Sequence, residues 1–131
     1  MKRFAMFVLM TLTAGCLMAS PDMERAKMKA IAGYKMALAS DNCGLRNDAL
    51  HKIARLKSEY PGTDLSCFEP ILKKMAAKDA DTMVRLNAQL TLTYLSDEAM
   101  AAWVRTDKTE TAFDFFNRLY QEMTHVFAAA K

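Results

Sequence analysis

Two histidines, three cysteines and fifteen carboxylates are the side chains in this chain best suited to metal, nucleophilic or acid–base chemistry. His51 and His125 lie far apart, and neither has a second histidine at helical spacing. A zinc centre needs three or four ligands brought together, so both read as surface or rim histidines. Cys43, in Asn42-Cys43-Gly44, sits where a helix N-terminus would lower a thiol pKa, but no histidine is placed beside it to act as a base. Glu59, Glu69 and the acidic turns form no paired carboxylates at an obvious spacing. Gly-x-Ser-x-Gly, a glycine-rich phosphate loop and Cys-x-x-Cys are all missing from the sequence. The expectation is a non-catalytic chain without metal or cofactor.

The elements that would position these side chains are helical, because glycine and proline number only 4 and 3 in 131 residues and 52% of residues are hydrophobic. One domain with its own core is enough for that length. Its centre is the stretch 79–95. At about 100° per residue, Val84, Ala88, Leu92 and Leu95 share one face while Met83, Leu86, Leu90 and Tyr94 share a second, so this helix should be covered on two sides.

The other helices follow from caps and stripes. Ser20-Pro21 with Asp22 and Glu24 opens a helix that should run to about residue 39. Residues 40–42 break it, and a second helix spans about 44–59, stopped by Tyr60-Pro61-Gly62. Ser66 and Glu69 have capping-box spacing ahead of a stripe of Phe68, Ile71, Leu72 and Met75. Ser96-Asp97 caps a short piece to about residue 105. The last helix, about 111–129, carries Ala112, Phe113, Phe116, Leu119, Tyr120, Met123 and Phe127 on one side, and with Met100 and Trp103 it should cover the central helix as a cap. The seven methionines beyond residue 19 fall mostly on or beside apolar faces, as core filling would require.

The first nineteen residues differ in kind. Lys2 and Arg3 precede an uncharged run over 4–19, the layout of a bacterial secretory signal peptide and short for a bilayer span. Thr13-Ala14-Gly15-Cys16 resembles the lipobox of bacterial lipoproteins, although threonine stands where that family prefers leucine; the resemblance implies diacylation of Cys16. Cleavage after Ala19 is the competing outcome. Either way the protein is expected to be exported, periplasmic or lipid-anchored in the cell envelope. Without Lys2 and Arg3 the 18 basic residues become 16 against 15 acidic ones, so the pI of 8.8 belongs largely to the leader. No basic stripe with interleaved aromatics remains, which argues against a nucleic-acid partner.

The central helix has an echo upstream. An offset of 39 residues lays Leu45-Arg46-x-x-Ala49 on Val84-Arg85-x-x-Ala88, Ile53 on Leu92 and Leu56 on Leu95. A period near 40 with a helix, an aspartate-containing turn and a second helix resembles the HEAT repeat, over two units at about 28–95. The implied fold is all-α, a short right-handed α-α superhelix of two HEAT-like hairpins capped by a C-terminal amphipathic helix, within one domain over 20–131. Carried over to matching residues, the resemblance makes Asp41, Arg46, Asp79, Asp81 and Arg85 the ties between repeats.

The second face of the first repeat reads Gly44, Asn47, His51 and Arg55, wet where the central helix is apolar. Asn47, His51 and Arg55 are therefore the expected partner surface. The implied function is a protein-binding adaptor or scaffold for an envelope protein; the alternative is a helical carrier holding a lipid or other apolar ligand between the last helix and the central one. Cys43 and Cys67 mark the two ends of a helix roughly 24 Å long, beyond the 7 Å a disulfide tolerates, so they should stay unpaired, or one should serve to join two chains.

Overall fold

The computed structural model describes residues 20–130. The leader, with its lipidation candidate Cys16, lies outside the described residues. Six α-helices follow in order: α1 Pro21–Leu38, α2 Cys43–Glu59, α3 Glu69–Lys78, α4 Thr82–Ser96, α5 Glu98–Trp103 and α6 Ala112–Ala129, with a 3-10 turn at Ser66–Phe68 before α3. Among the described residues there is no strand. The fold is all-α.

Side-chain oxygens cap five of the helices, each accepting an N–H that would otherwise lack a partner. Ser20 Oγ accepts from Met23, Asp81 Oδ1 from Val84, Asp97 Oδ1 from Met100, and Thr111 Oγ1 from Asp114. Asn42 Oδ1 serves α2, accepting from Gly44 at 2.8 Å and Leu45 at 3.3 Å. A Cβ on Gly44 would lie 3.1 Å from that oxygen, so a larger residue there would require the Asn42 side chain to shift by a few tenths of an ångström. The expected capping box at Ser66 and Glu69 does not form. Asp64 Oδ1 accepts the Ser66 N–H at 2.9 Å instead, and α3 begins from the 3-10 turn without a side-chain cap.

The helices pair as two hairpins, α1 with α2 and α3 with α4, and α2 packs on α4 to join them. No comparable contact joins α1 to α3. The layer of second helices is therefore the spine, and α6 returns across both α2 and α4. Leu50, Ile53 and Ala54 of α2, Leu72 of α3, Val84, Ala88 and Tyr94 of α4, and Phe115 and Leu119 of α6 are fully buried.

The centre of α4 departs from the two-faced reading. Val84, Ala88, Leu90 and Tyr94 are buried with the polar Asn87 and Thr91, whereas Met83 and Leu86 remain exposed. α6 is rotated relative to expectation. It carries two apolar lines that share Phe116 and Met123, and the one containing Ala112, Phe115 and Leu119 turns to the core. Phe113, Tyr120 and Phe127, expected under the cap, face outward, and so does Trp103. Phe115 fills the place the sequence reading gave to Phe113. Its ring meets Tyr94 edge-on at 5.6 Å and Phe116 at 5.2 Å.

Polar anchors fix this cap. The buried Tyr94 hydroxyl donates to Val104 O at 2.7 Å, and burial pushes its phenol pKa up. Arg118 grips both carboxylate oxygens of Glu110, at 2.9 and 2.8 Å, and also donates to Arg105 O. The planar guanidinium suits such a two-pronged hold, which fixes the α6 entry angle against the preceding loop.

Candidate interaction surface

The five residues expected to tie the repeats divide by role. Arg46 on α2 reaches across to Asp79, in the turn before α4, at 2.9 Å, and donates to Ser40 O at 2.9 Å as well. This pair does join the hairpins. Burial alone would raise the Asp79 carboxyl, but the Asp81 backbone N–H and the Arg46 guanidinium outweigh it and hold the pKa below the ordinary carboxylate range. Asp81 acts locally as the α4 cap, and Arg85 stays in its own turn, donating to Asp79 O and Thr82 Oγ1. Asp41 is exposed and has no side-chain partner among the described residues.

The expected partner surface of Asn47, His51 and Arg55 is closed at its centre, where His51 is buried, while Asn47 and Arg55 are half-buried. Asn47 accepts a hydrogen bond from Asn87 Nδ2 at 2.9 Å inside the α2–α4 seam. Only 5% of His51 is exposed; its ring tilts against Phe115 at 5.1 Å, and its Nε2 is buried without a partner. Burial lowers its pKa, against the opposing pull of Glu110 and Asp48. Arg55 is half-buried and pairs with Glu59 at 2.9 Å along its own helix. α6 covers His51, whose ring meets Phe115 and Phe116, because it crosses α2 as well as α4, a return path that a one-helix polarity pattern does not encode.

What stands open is the other side of α6 and the adjoining edge of α4. Phe113, Asn117, Tyr120, Thr124 and Phe127 follow one another at spacings of four and three, so they form one stripe along the helix. All five are exposed and none is charged. Asp114, Arg118, Glu122 and His125 occupy the far side of the helix. Met83 and Leu86 of α4 lie beside the stripe, and between the two helices is a hollow of about 100 Å³. Beyond Met123 the helix continues for two turns whose residues are all exposed, carrying Val126 and Phe127 into solvent. The sequence signal was present in the amphipathic pattern; which of its two apolar lines faces inward was not.

Other openings differ in character. A groove of about 500 Å³ separates the end of α1 from α3, with Leu38, Ile71 and Met75 at its floor and Lys35, Lys74 and Lys78 at its rim. Cys43 and Cys67 are both free, one at the start of α2 and one beyond its end. Among the described residues no helix is long and apolar enough to cross a membrane.

The class these features define is an all-α protein of two stacked hairpins closed by a C-terminal helix with an outward apolar stripe. No family model, curated protein or solved structure matches this chain.

Proposed function

We propose that this chain is a non-catalytic protein-binding module, two HEAT-like hairpins exported to the bacterial cell envelope as a periplasmic or lipid-anchored protein. Its binding surface is the stripe of α6 with the edge of α4, in place of the Asn47–His51–Arg55 face. One observation carries this reading: Phe113, Tyr120 and Phe127 are 70%, 48% and 68% exposed on a single uncharged face. Contiguous exposed apolar patches of this kind mark interaction sites. Aromatic residues are also the side chains most enriched where binding energy concentrates.

The repeat reading is supported by the α2–α4 stacking and by the Arg46–Asp79 pair between successive units. The carrier reading is less well supported at the position first expected for it. The hollow between α4 and α6, about 100 Å³, is small beside the 300–1,000 Å³ of small-molecule sites.

A photo-crosslinking amino acid placed at Phe113 or Tyr120 of the full chain in living cells tests the proposal. It should give discrete protein adducts, and the same reagent at the exposed Ala32 of α1 should not. Equal labelling from all three positions would contradict it.

A further inference from the structure

The stripe on α6 has the composition and length to meet a copy of itself. Its five residues run 14 positions, about 21 Å of helix, with Tyr120 at the midpoint and a phenylalanine at each end. Two such helices placed antiparallel about Tyr120 bring Phe113 of one copy against the partner's Phe127, twice. No charge lies on either stripe, so like charges never meet, and antiparallel helix dipoles are opposed head to tail. A two-fold axis requires a surface of this self-complementary kind.

Area supports the same occupant. With roughly 200 Å² for each aromatic side chain, the exposed fractions of Phe113, Tyr120 and Phe127, together with Met83 at 48% and Leu86 at 39%, amount to roughly 500 Å² of apolar surface. A standard interface buries about 800 Å² per partner, of which about 60% is apolar. The stripe therefore supplies close to the apolar share of one standard interface. The hollow between α4 and α6 completes the fit. Its walls include Met83, Leu86, Leu90 and Phe113 together with the polar Asn87 and Asn117, and its volume is about 100 Å³. Apolar cavities near 150 Å³ accept a whole benzene ring, so this smaller, open hollow is scaled to the edge of a single aromatic ring. The free last two turns of α6 carry Phe127 clear of its own core, where it can enter the hollow of another copy.

We infer that the partner is a second copy of this chain: an antiparallel α6–α6 dimer in which each Phe127 seats in the α4–α6 hollow of the other copy. This rests on the reading of the stripe as a protein-binding surface, and names its occupant.

Sedimentation equilibrium of the native protein over a concentration series tests it. The expected result is a dimer mass, with Phe127→Ser and Phe113→Arg each weakening association at least ten-fold. Both residues are exposed in the single chain, so each variant should keep the native helix content and a cooperative melt, with a melting temperature equal to that of the native chain diluted to monomer. Phe127→Glu should also be monomeric, and mixing it with Phe113→Arg should restore a dimer, because the antiparallel register sets Arg against Glu and leaves the other end Phe against Phe. Failure of the mixture to dimerise, or a dimer unaffected by Phe127→Ser, overturns the inference. So does a native monomer, with two distinguishable consequences. A monomer still crosslinked through Phe113 to a different protein leaves the protein-binding reading intact, whereas one with no face-specific adduct removes both. A monomer whose stripe is shielded only by added phospholipid vesicles would assign the face to a membrane surface instead.

Discussion

Arg46 and Asp79 stand 33 residues apart in sequence and meet at 2.9 Å, with only 12% and 9% of their side chains exposed. Asp79 also accepts the Asp81 N–H at 2.9 Å, so one carboxylate both closes the turn into α4 and receives the guanidinium from α2. Because its folded pKa is depressed, its contribution to stability is fully present above the ordinary carboxylate value of about 4 and is lost as pH falls through the folded pKa. Asp79→Asn should lower the melting temperature at pH 7 and shrink the difference in stability between pH 5 and pH 3. Denaturant titrations at those pH values check it; an unchanged acid limb would mean that other carboxylates govern acid unfolding.

His51 gives a second, separate pH window. Burial depresses its folded pKa, with Lys52 and Arg55 adding to the effect and Glu110 and Asp48 opposing it. The unfolded chain then takes up a proton that the folded one resists, so stability should fall as pH drops below about 6.5 toward the folded value. His51→Leu should flatten the curve over this range. It also replaces an unpartnered buried Nε2 by an apolar group, so no large loss at pH 7.5 is expected. Urea unfolding between pH 7.5 and 5.5 measures both effects.

The buried and exposed faces of α6 should differ sharply in energetic weight. Phe116→Ala removes a side chain that is 3% exposed, and should cost on the order of 3–5 kcal/mol. Phe113→Ala, three residues away on the outer line, should change single-chain stability by no more than about 0.5 kcal/mol. Chemical denaturation of the two variants in parallel, at a concentration where the chain is monomeric, decides whether α6 is oriented as described.

Truncation probes the same helix by halves. Ending the chain after Asp107 uncovers His51, Tyr94 and the α2–α4 seam, and should yield a chain that aggregates or loses its cooperative melt. Ending it after Met123 removes only exposed turns and should leave the monomer's melting temperature within a few degrees. A cooperative melt of the shorter chain would show that the two hairpins stand without their cap.

Thiol chemistry tests the length of α2. Cys43 and Cys67 flank a helix of 17 residues, about 25 Å from end to end. Titration of the denatured, unreduced monomer should find both thiols free. In the folded protein the exposed Cys43 should react faster than the partly covered Cys67. A Cys43–Cys67 bridge would mean that α2 is broken.

Helix number and order were legible in the sequence because they depend on local chemistry: Ser20-Pro21 and Ser96-Asp97 mark helix starts whatever the tertiary context, whereas the capping box expected at Ser66 and Glu69 gave way to Asp64, which takes the Ser66 N–H. The 39-residue offset set Arg46 and Arg85 in matching places, but it did not reveal that Arg46 alone would reach the next hairpin, at Asp79, while Arg85 stays in its own turn. What the sequence did not show was the path of α6. Its apolar residues define two lines roughly a third of a turn apart, and choosing between them depends on the surface it meets, where Tyr94 presents its ring edge to Phe115 and His51 lies ready to stack. His51 illustrates the limit most clearly. On its own helix it belongs to a polar face, and only the return of the chain from more than sixty residues downstream makes that face interior. The buried Thr91 and Asn87 were missed for two reasons: Thr91 Oγ1 is satisfied within its own helix by the backbone carbonyl of Asn87 at 2.7 Å, and the Asn87 side chain finds its partner, Asn47, only across the α2–α4 seam.

The hydrogen bond from Asn87 to Asn47 has a consequence for how the chain finds its fold. α2 and α4 meet largely through aliphatic side chains, and smooth apolar surfaces of this sort permit competing alignments displaced by one helical turn. A slip of about 5.4 Å would take the half-buried Asn47 away from the buried Asn87 and leave the Asn87 amide without its side-chain partner, at a cost of about 1–3 kcal/mol. The two asparagines thus act as a register mark, selecting one alignment from several of similar hydrophobic content, much as a lone interior asparagine does in paired helices. Replacing both with leucine should therefore broaden the ensemble before it weakens the core, a loss of uniqueness detectable as multiple conformers in amide spectra while the helix content stays the same.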